Sequence, residues 1–457
     1  MDWPGLISSS CASRSNVHSK HALEQCVHAQ PTFWGLEVVI GDLPLRHLGA
    51  TIQMMNTQST ATVPFAAAAI SGHLDTRTAA TEVAHDLYDH LGGSCDLALL
   101  FASFHHRAAL SEAAETLRNT IGPRTMLAVT AEGVLGVDQE LEGLAGLSAV
   151  AFQLPGVDLH PWTYQAEHHA GILTSRQAMR EHIGLNDDLR TVLMLGDPFS
   201  TPITKLLPAL TACGGPEQPV PVAGGMCSGA SQPGHNVLVL DDRTLMTGLI
   251  GVTISGAVDI DFVVSQGCRP IGEPLVITKC QGNVVLQLGG RKALDVAQEL
   301  TNSLDEHERS LLSRGLLVGM VIDEYKERFG RGDFIVRNML GYDKKHGAIA
   351  LGEIPRVGQT MQFHVRDADT ADEDLQLLLD GQQLKEPPFG ALLFTCNGRG
   401  KQLFETDHHD VGVIQDRLGE VPLAGFFAAG EIGPIGSQSF LHGHTAVLAL
   451  FRARSSS

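Results

Sequence analysis

Two glycine-rich segments in the last quarter of the chain carry the side chains best suited to chemistry. The first, residues 395–400, reads TCNGRG and holds Cys396, Asn397, Gly398 and Arg399. A thiol at the end of a strand lies where clefts form in α/β sheets, and a neighbouring guanidinium can lower its pKa. An arginine can also hold a carboxylate through two hydrogen bonds. The segment predicts a reactive thiol or a ligand site, and a small buried cysteine is the alternative.

The second segment, residues 430–445, contains Glu431, Ser439, His442 and His444. Residues two apart share one face of a strand, so the two imidazoles are expected to converge. Their alternative role is to cap the last strand through hydrogen bonds. Together with Arg399, which would pair an anionic group, Glu431 or a histidine would pair a cationic one. That combination suits a zwitterion such as an amino acid.

The catalytic signatures in the sequence are incomplete. Residues 398–402 resemble the end of a phosphate loop but lack its first glycine and the hydroxyl after Lys401. Residues 367–369 begin like a calcium loop that the following residues do not continue. One enzymatic alternative remains, in which Cys396 is the nucleophile and His442 or His444 the base. An enzyme is therefore the second hypothesis and not the first.

Histidine and cysteine spacing gives no support for a metal site. Three histidine pairs are adjacent in sequence, at residues 105–106, 168–169 and 408–409, and adjacent side chains point in different directions. No two of the eight cysteines form a C-x-x-C pair. We expect no metal and no cofactor, and we expect reduced thiols in a cytoplasmic protein.

The composition excludes several classes of partner. An apolar fraction of 43% and a charged fraction of 18% are typical of globular proteins. The formal net charge is −19, so nucleic acid and anionic membranes should repel the chain. No apolar run reaches the roughly 18 residues that a membrane span needs. A small molecule or another protein is the expected partner.

Alternating strand and helix patterns position these segments. Two strand–helix–strand units with short links indicate βαβ architecture in the first half; they comprise residues 96–103, 108–121 and 125–131, and residues 191–196, 202–213 and 220–225. Two hairpins follow, at residues 235–240 with 245–255 and at residues 274–280 with 283–288. The second half mixes strands with helices at residues 293–304, 371–379 and 407–418, the last with Asp407 as its N-cap.

The pattern predicts a mixed α+β fold with two domains, at residues 56–257 and 258–457. Residues 1–55 lack a clear period and contain a serine-rich stretch. They are predicted to be a loosely ordered leader or not native, with Met54 or Met55 as the biological start.

Five segments together resemble the FIST (F-box and intracellular signal transduction) family. The resemblance begins near residue 60 and runs to the end, and it rests on residues 130–136, 223–225, 265–274, 395–404 and 430–445. Thr130 stands where the family often has serine. The resemblance places Gln266, Arg269, Thr130 and Glu132 in secondary loops of the ligand site.

The resemblance implies a sensory module that binds small ligands such as amino acids and acts through an unidentified protein partner. Residues 1–55 lack the helical pattern of an F-box, so a ubiquitin function is not expected. A protein-binding adaptor is the third alternative, and a large exposed apolar patch would favour it.

Overall fold

The computed structural model describes residues 63–215 and 217–454 of the chain, and these lie within one compact unit. The predicted leader and the predicted start at Met54 or Met55 lie outside the described residues. No helix in the described ranges is long and apolar enough to cross a membrane.

The described residues form nine α-helices and 25 strands. The helices are α1 (Thr76–Leu91), α2 (Leu110–Ile121), α3 (Ala166–His169), α4 (Arg176–His182), α5 (Ile203–Cys213), α6 (Ala293–Ser303), α7 (Glu306–Leu311), α8 (Ala368–Gln382) and α9 (His409–Leu418). The strands up to residue 256 are β1 (Phe65–Ser71), β2 (Leu97–Ser103), β3 (Thr125–Ala131), β4 (Gly133–Gly136), β5 (Gln139–Glu142), β6 (Leu147–Gln153), β7 (Val157–Tyr164), β8 (Leu189–Gly196), β9 (Val222–Met226), β10 (Leu238–Leu240), β11 (Arg243–Leu245) and β12 (Leu249–Gly256). The later strands are β13 (Val258–Gln266), β14 (Cys268–Gln281), β15 (Val284–Leu288), β16 (Arg291–Lys292), β17 (Leu316–Val321), β18 (Phe334–Asp343), β19 (Ala348–Leu351), β20 (Thr360–Arg366), β21 (Gly390–Cys396), β22 (Leu423–Ala428), β23 (Glu431–Ile435), β24 (Gln438–His442) and β25 (Thr445–Ala453).

The strands assemble into four mixed sheets, which confirms the predicted α+β class. Their orders are β1-β6-β2-β3-β10-β11 (sheet 1), β24-β23-β9-β8-β12-β7 (sheet 2), β13-β25-β21-β22-β4-β5 (sheet 3) and β14-β20-β17-β18-β19-β15-β16 (sheet 4). Strand β15 also pairs with β14, so six strands of sheet 4 form a closed ring.

The predicted βαβ units are present. Strands β2 and β3 are parallel across α2, and β8 and β9 are parallel across α5. A third unit joins β21 and β22 across α9. Helix α1 shows the local signals: the Asp75 side chain accepts from the Thr78 N–H at its start, and Gly92 ends it with a φ of 61°. A left-handed residue at this position favours glycine.

Two local predictions are wrong. The first hairpin consists only of β10 and β11, because β12 joins sheet 2 between β7 and β8. Helix α9 begins at His409, and His408, not Asp407, precedes it with a φ of 59°. Asp410 lies in its first turn, where its carboxylate meets an internal cation and not the backbone.

Two sheets contain strands from both sides of the predicted domain boundary at residues 257 and 258. Strand β4 pairs with β22, and β9 pairs with β23. Sheets 1 and 3 share an apolar core in which Phe101 stacks on Phe426 with ring centroids 5.3 Å apart. The boundary itself stays a prediction.

Candidate functional site

Three sheets meet around the end of β21, where Cys396 lies. Strand β13 of sheet 3 and β14 of sheet 4 are separated by Gly267 alone, and β24 of sheet 2 ends at His442. The Gly267 N–H donates to the His444 carbonyl oxygen at 2.9 Å. A Cβ at Gly267 would lie 2.7 Å from that oxygen, so the close approach requires glycine.

Five side chains interact electrostatically at this junction, and we call them the Cys396 cluster. They come from β14, β20, β21, β23 and the turn before β25, and are Cys268, Arg366, Cys396, Glu431 and His444. Two of them, Cys268 and Arg366, are paired in register on neighbouring strands.

The Cys396 thiol is buried and protonated. Burial, reinforced by Glu431, raises the pKa of Cys396 to about 12. The Gly398 N–H at 3.5 Å from Sγ and the Arg366 guanidinium lower the pKa by less. The predicted lowering of this pKa is therefore wrong, because desolvation of a thiolate here outweighs the nearby positive charge.

The carboxyl group of Glu431 is fully buried at the start of β23. Burial raises its pKa well above the ordinary value, although the Thr445 N–H, 3.2 Å from Oε2, opposes this. The other oxygen, Oε1, has no partner at hydrogen-bond distance among the described residues, although the Cys396 thiol lies near the carboxyl group and also opposes the rise in its pKa. A neutral carboxylic acid can donate one hydrogen bond and accept others.

The two predicted histidines occupy different environments. The Nε2 atom of His442, at the end of β24, lies 2.9 Å from the Gly433 carbonyl oxygen. His444 follows in a turn with a φ of 62°, and its Nε2 lies 2.9 Å from Asn338 Oδ1. Burial lowers the pKa of each to about 4. The expected convergence on one strand face is wrong, because the turn separates the two rings.

Arg399 is completely buried and paired within the protein. Its Nε and Nη2 donate to Asp410 Oδ2 and Oδ1, both at 2.8 Å. Asp410 also accepts from Thr395 Oγ1 at 2.8 Å, and its Oδ1 lies 3.1 Å from His409 Nδ1. The His409 ring stacks on Phe404 with centroids 3.4 Å apart. We call this group the Arg399–Asp410 pair.

Only one nitrogen of Arg399 remains for other contacts. Nη1 has no hydrogen-bond partner within the described residues. It faces Gly267, where an added Cβ would lie 3.0 Å away. Arg399 thus borders the Cys396 cluster with its one unused nitrogen, and the alternative of a solvated loop charge is wrong.

The remaining predicted residues have partners on several elements. Asn397 Nδ2 donates to Glu132 Oε2 at 3.1 Å, which links the first half of the chain to the rim of the cluster. The others bond elsewhere: Ser439 Oγ accepts from Val222 N–H, Thr130 Oγ1 accepts from Val237 N–H, Gln266 Nε2 donates to the Phe334 carbonyl, and Arg269 pairs with Asp367 and Glu308. Cys396, Gly398, Glu431 and His444 are brought together.

Three residues of this junction were not predicted from the sequence. Arg366, Cys268 and Asn338 contribute a guanidinium, a second buried thiol and the amide that contacts His444. Arg366 ends β20 as Cys396 ends β21, but an arginine at a strand end is too common to single it out. Cys268 lies in a segment already singled out. Asn338 carried no signal.

Two cavities lie away from the cluster. One of about 670 Å³ is lined by residues of β14, β15, β16, β18 and β19, and one of about 440 Å³ by residues of β8, β13 and β25. Neither includes a predicted ligand-binding residue. The described residues contain no group of three or more side chains able to hold a metal ion.

Comparison with known proteins gives a consistent result. A family model described as FIST N domain matches residues 96–291, and one described as FIST C domain matches residues 293–434. An uncharacterized protein of Mycobacterium tuberculosis is 39% identical over 378 residues, which cover 82% of this chain and 96% of that protein. One of Mycobacterium bovis is 38% identical over 391 residues, with the same coverage. A solved cyanuric acid hydrolase from A. caulinodans is similar at a TM-score of 0.33 and 9% identity, covering 86% of this chain and 100% of that one.

Proposed function

Because the chain belongs to the family that joins a FIST N domain to a FIST C domain, generally taken as sensory domains of signal transduction, we propose that it senses a small polar molecule at the Cys396 cluster. An amino acid has the matching chemistry. We also propose that its output passes to a protein partner.

The observation that carries this proposal is a concentration of unused polar atoms. Glu431 Oε1, His444 Nδ1, Arg366 Nε and Arg399 Nη1 are all buried without a hydrogen-bond partner in the described part of the chain. Each such group costs about 1–3 kcal/mol, and native proteins contain only a few per 100 residues. A ligand that bonded to these atoms would recover that free energy.

The unused atoms define the chemistry of the ligand. The two guanidinium nitrogens donate hydrogen bonds. With Asn338 Oδ1 as acceptor, His444 Nε2 carries the hydrogen and Nδ1 accepts. Burial favours the neutral form of the Glu431 carboxyl group, and that form can do either. A ligand with both acceptor oxygens and N–H donors, as an amino acid has, complements this set.

The geometry gives less support to a cysteine-dependent enzyme. Nucleophilic attack needs the thiolate, and burial raises the pKa of Cys396 to about 12. His442 bonds to the Gly433 carbonyl, and His444 bonds to Asn338. The protein-binding adaptor stays a prediction.

A thermal-shift screen of the full-length protein against amino acids, nucleotides and common metabolites tests the proposal. A compound at 100 times its Kd adds about 2.7 kcal/mol to stability, a shift of several degrees. Glu431→Ala and His444→Ala should abolish the shift. Arg331→Gln, which removes an exposed pair with Glu373, is the matched control and should retain it. No shift with any compound, or full shifts in both cluster variants, would overturn the proposal.

A further inference from the structure

The arginines around the Cys396 cluster differ in whether an acid neutralises them. Arg399 pairs with Asp410 at 2.8 Å, and Arg337 pairs with Glu353 at 2.7 Å. Arg269 pairs with Asp367 at 3.1 Å. Arg366 has no carboxylate oxygen within 4.0 Å among the described residues. It is half-buried, and its Nε is buried without a partner.

The position of Arg366 is fixed by the loop that carries Cys396. Its Nη2 donates to the Gly398 carbonyl oxygen. The guanidinium lies against Gly398, where an added Cβ would be 3.2 Å from Nη2 and 3.4 Å from Cζ. A glycine at 398 therefore lets the planar group lie against the loop, with Nε left for another acceptor.

Burial disfavours the charged forms of the other ionisable groups of the cluster. Burial raises the pKa of Cys268 and Cys396 to about 12 and that of Glu431 well above its ordinary value. Burial lowers the pKa of His444 to about 4. The charge of Arg366 thus has no close counter-charge among the described residues, and removing a charge from water without a counter-charge is costly.

We infer that the sensed molecule carries a carboxylate and that Arg366, not Arg399, receives it. This inference rests on the proposed function. A carboxylate neutralises the guanidinium and accepts from Nε, and a guanidinium can hold both of its oxygens. Arg399 contributes at most its Nη1, because Asp410 occupies its other two nitrogens.

The test uses four series of related compounds on the full-length protein: L-amino acids, their C-terminal amides, the amines without the carboxylate, and the carboxylic acids without the amine. Thermal shifts and calorimetric titration are compared for wild type, Arg366→Gln, Arg366→Lys and the control Arg331→Gln. We expect wild type and the control to respond to compounds with a free carboxylate and not to the amides or amines.

Arg366→Gln should weaken binding of the responsive acids by about 30-fold or more, because it removes the charge. Arg366→Lys keeps the charge but loses the planar fork, so it should bind more weakly than wild type and still prefer acids to amides. If Arg366→Gln does not fold by circular dichroism, the lysine variant carries the test.

The outcomes separate the two proposals. Equal responses to amides and acids, or unchanged acid binding in both Arg366 variants, would overturn the carboxylate inference and leave the sensor proposal standing. No response in any series would overturn both. An acid response lost in the Arg366 variants and kept in the control would support both.

Discussion

The Arg399–Asp410 pair and the Cys396 cluster are neighbours, but their buried polar groups differ in how fully they are hydrogen-bonded and neutralised. In the pair, Asp410 accepts from three donors and neutralises its arginine. In the cluster, Glu431 and His444 each keep an unpartnered atom, and Arg366 has no acidic partner among the described residues. The same loop, residues 395–400, serves both. The two groups thus differ in whether their charged side chains have partners, and not in residue type.

The largest effect is expected from breaking the pair. Asp410→Asn leaves the Arg399 guanidinium buried without a counter-charge, which costs about 3–5 kcal/mol of unfolding free energy. Urea denaturation at pH 7 measures it, with the exposed Glu373→Gln as a control expected to change by less than about 0.5 kcal/mol. A loss below about 1 kcal/mol for Asp410→Asn would contradict the structural role of the pair.

The next effect concerns Glu140, a buried acid beside the pair. Burial and the nearby Asp410 raise the pKa of Glu140 to about 8. A carboxyl whose folded pKa is raised binds its proton more tightly in the folded state, so its stabilisation is lost as pH rises from about 4.5 to 8. Glu140→Gln should remove about 2–4 kcal/mol of this pH dependence. Denaturation at pH 5, 7 and 9 measures it, and a slope equal to that of wild type would refute it.

A small effect is expected from the equivalent change in the cluster. Burial raises the pKa of Glu431 and so favours its neutral form, which Glu431→Gln replaces with a neutral group of similar shape. We expect the unfolding free energy at pH 7 to change by less than about 1 kcal/mol. The same denaturation assay compares it directly with Asp410→Asn. Equal losses in the two variants would mean that Glu431 is ionised.

The smallest response is expected from the Cys396 thiol. Because the thiolate is the reactive form, native Cys396 should react with iodoacetamide at pH 7.5 at least about 100-fold more slowly than the partly exposed Cys280. Peptide mapping after timed quenching distinguishes the two sites, and unfolding in urea should equalise them. Rapid labelling of native Cys396 would contradict this expectation and would favour the cysteine-dependent enzyme.

Local signals explain which parts of the fold were predictable. The strand–helix–strand units around α2 and α5 follow local apolar patterns, so their positions were predicted within a few residues. Strand β7 was missed because Pro161 argues against a strand, and the structure places it at a sheet edge, where proline is tolerated. Strand β4 has four residues, two of them glycine, and pairs with β22 far along the chain.

The loops of the candidate site were predictable from the sequence, but the contacts between their side chains were not. Cys396, Glu431 and His444 lie in segments whose residue types already indicated chemistry. The contact between Arg399 and Asp410 was not predictable, because the position of Asp410 in a predicted helix indicates an acid that interacts with the helix N-terminus. Arg366 was missed because a lone arginine at a strand end is common, and only the absence of an acidic neighbour makes it distinctive.

The position of β25 has a consequence for biosynthesis. This strand lies between β13 and β21 in sheet 3. The early strands β4 and β9 pair with β22 and β23, which are synthesised much later. Translation proceeds from the N-terminus, so sheet 2 stays incomplete until the residues near 442 leave the ribosome, and sheet 3 until those near 453 do. Until then, the nascent chain exposes unpaired strand edges, which favour association with other chains. Such long-range pairing also slows folding.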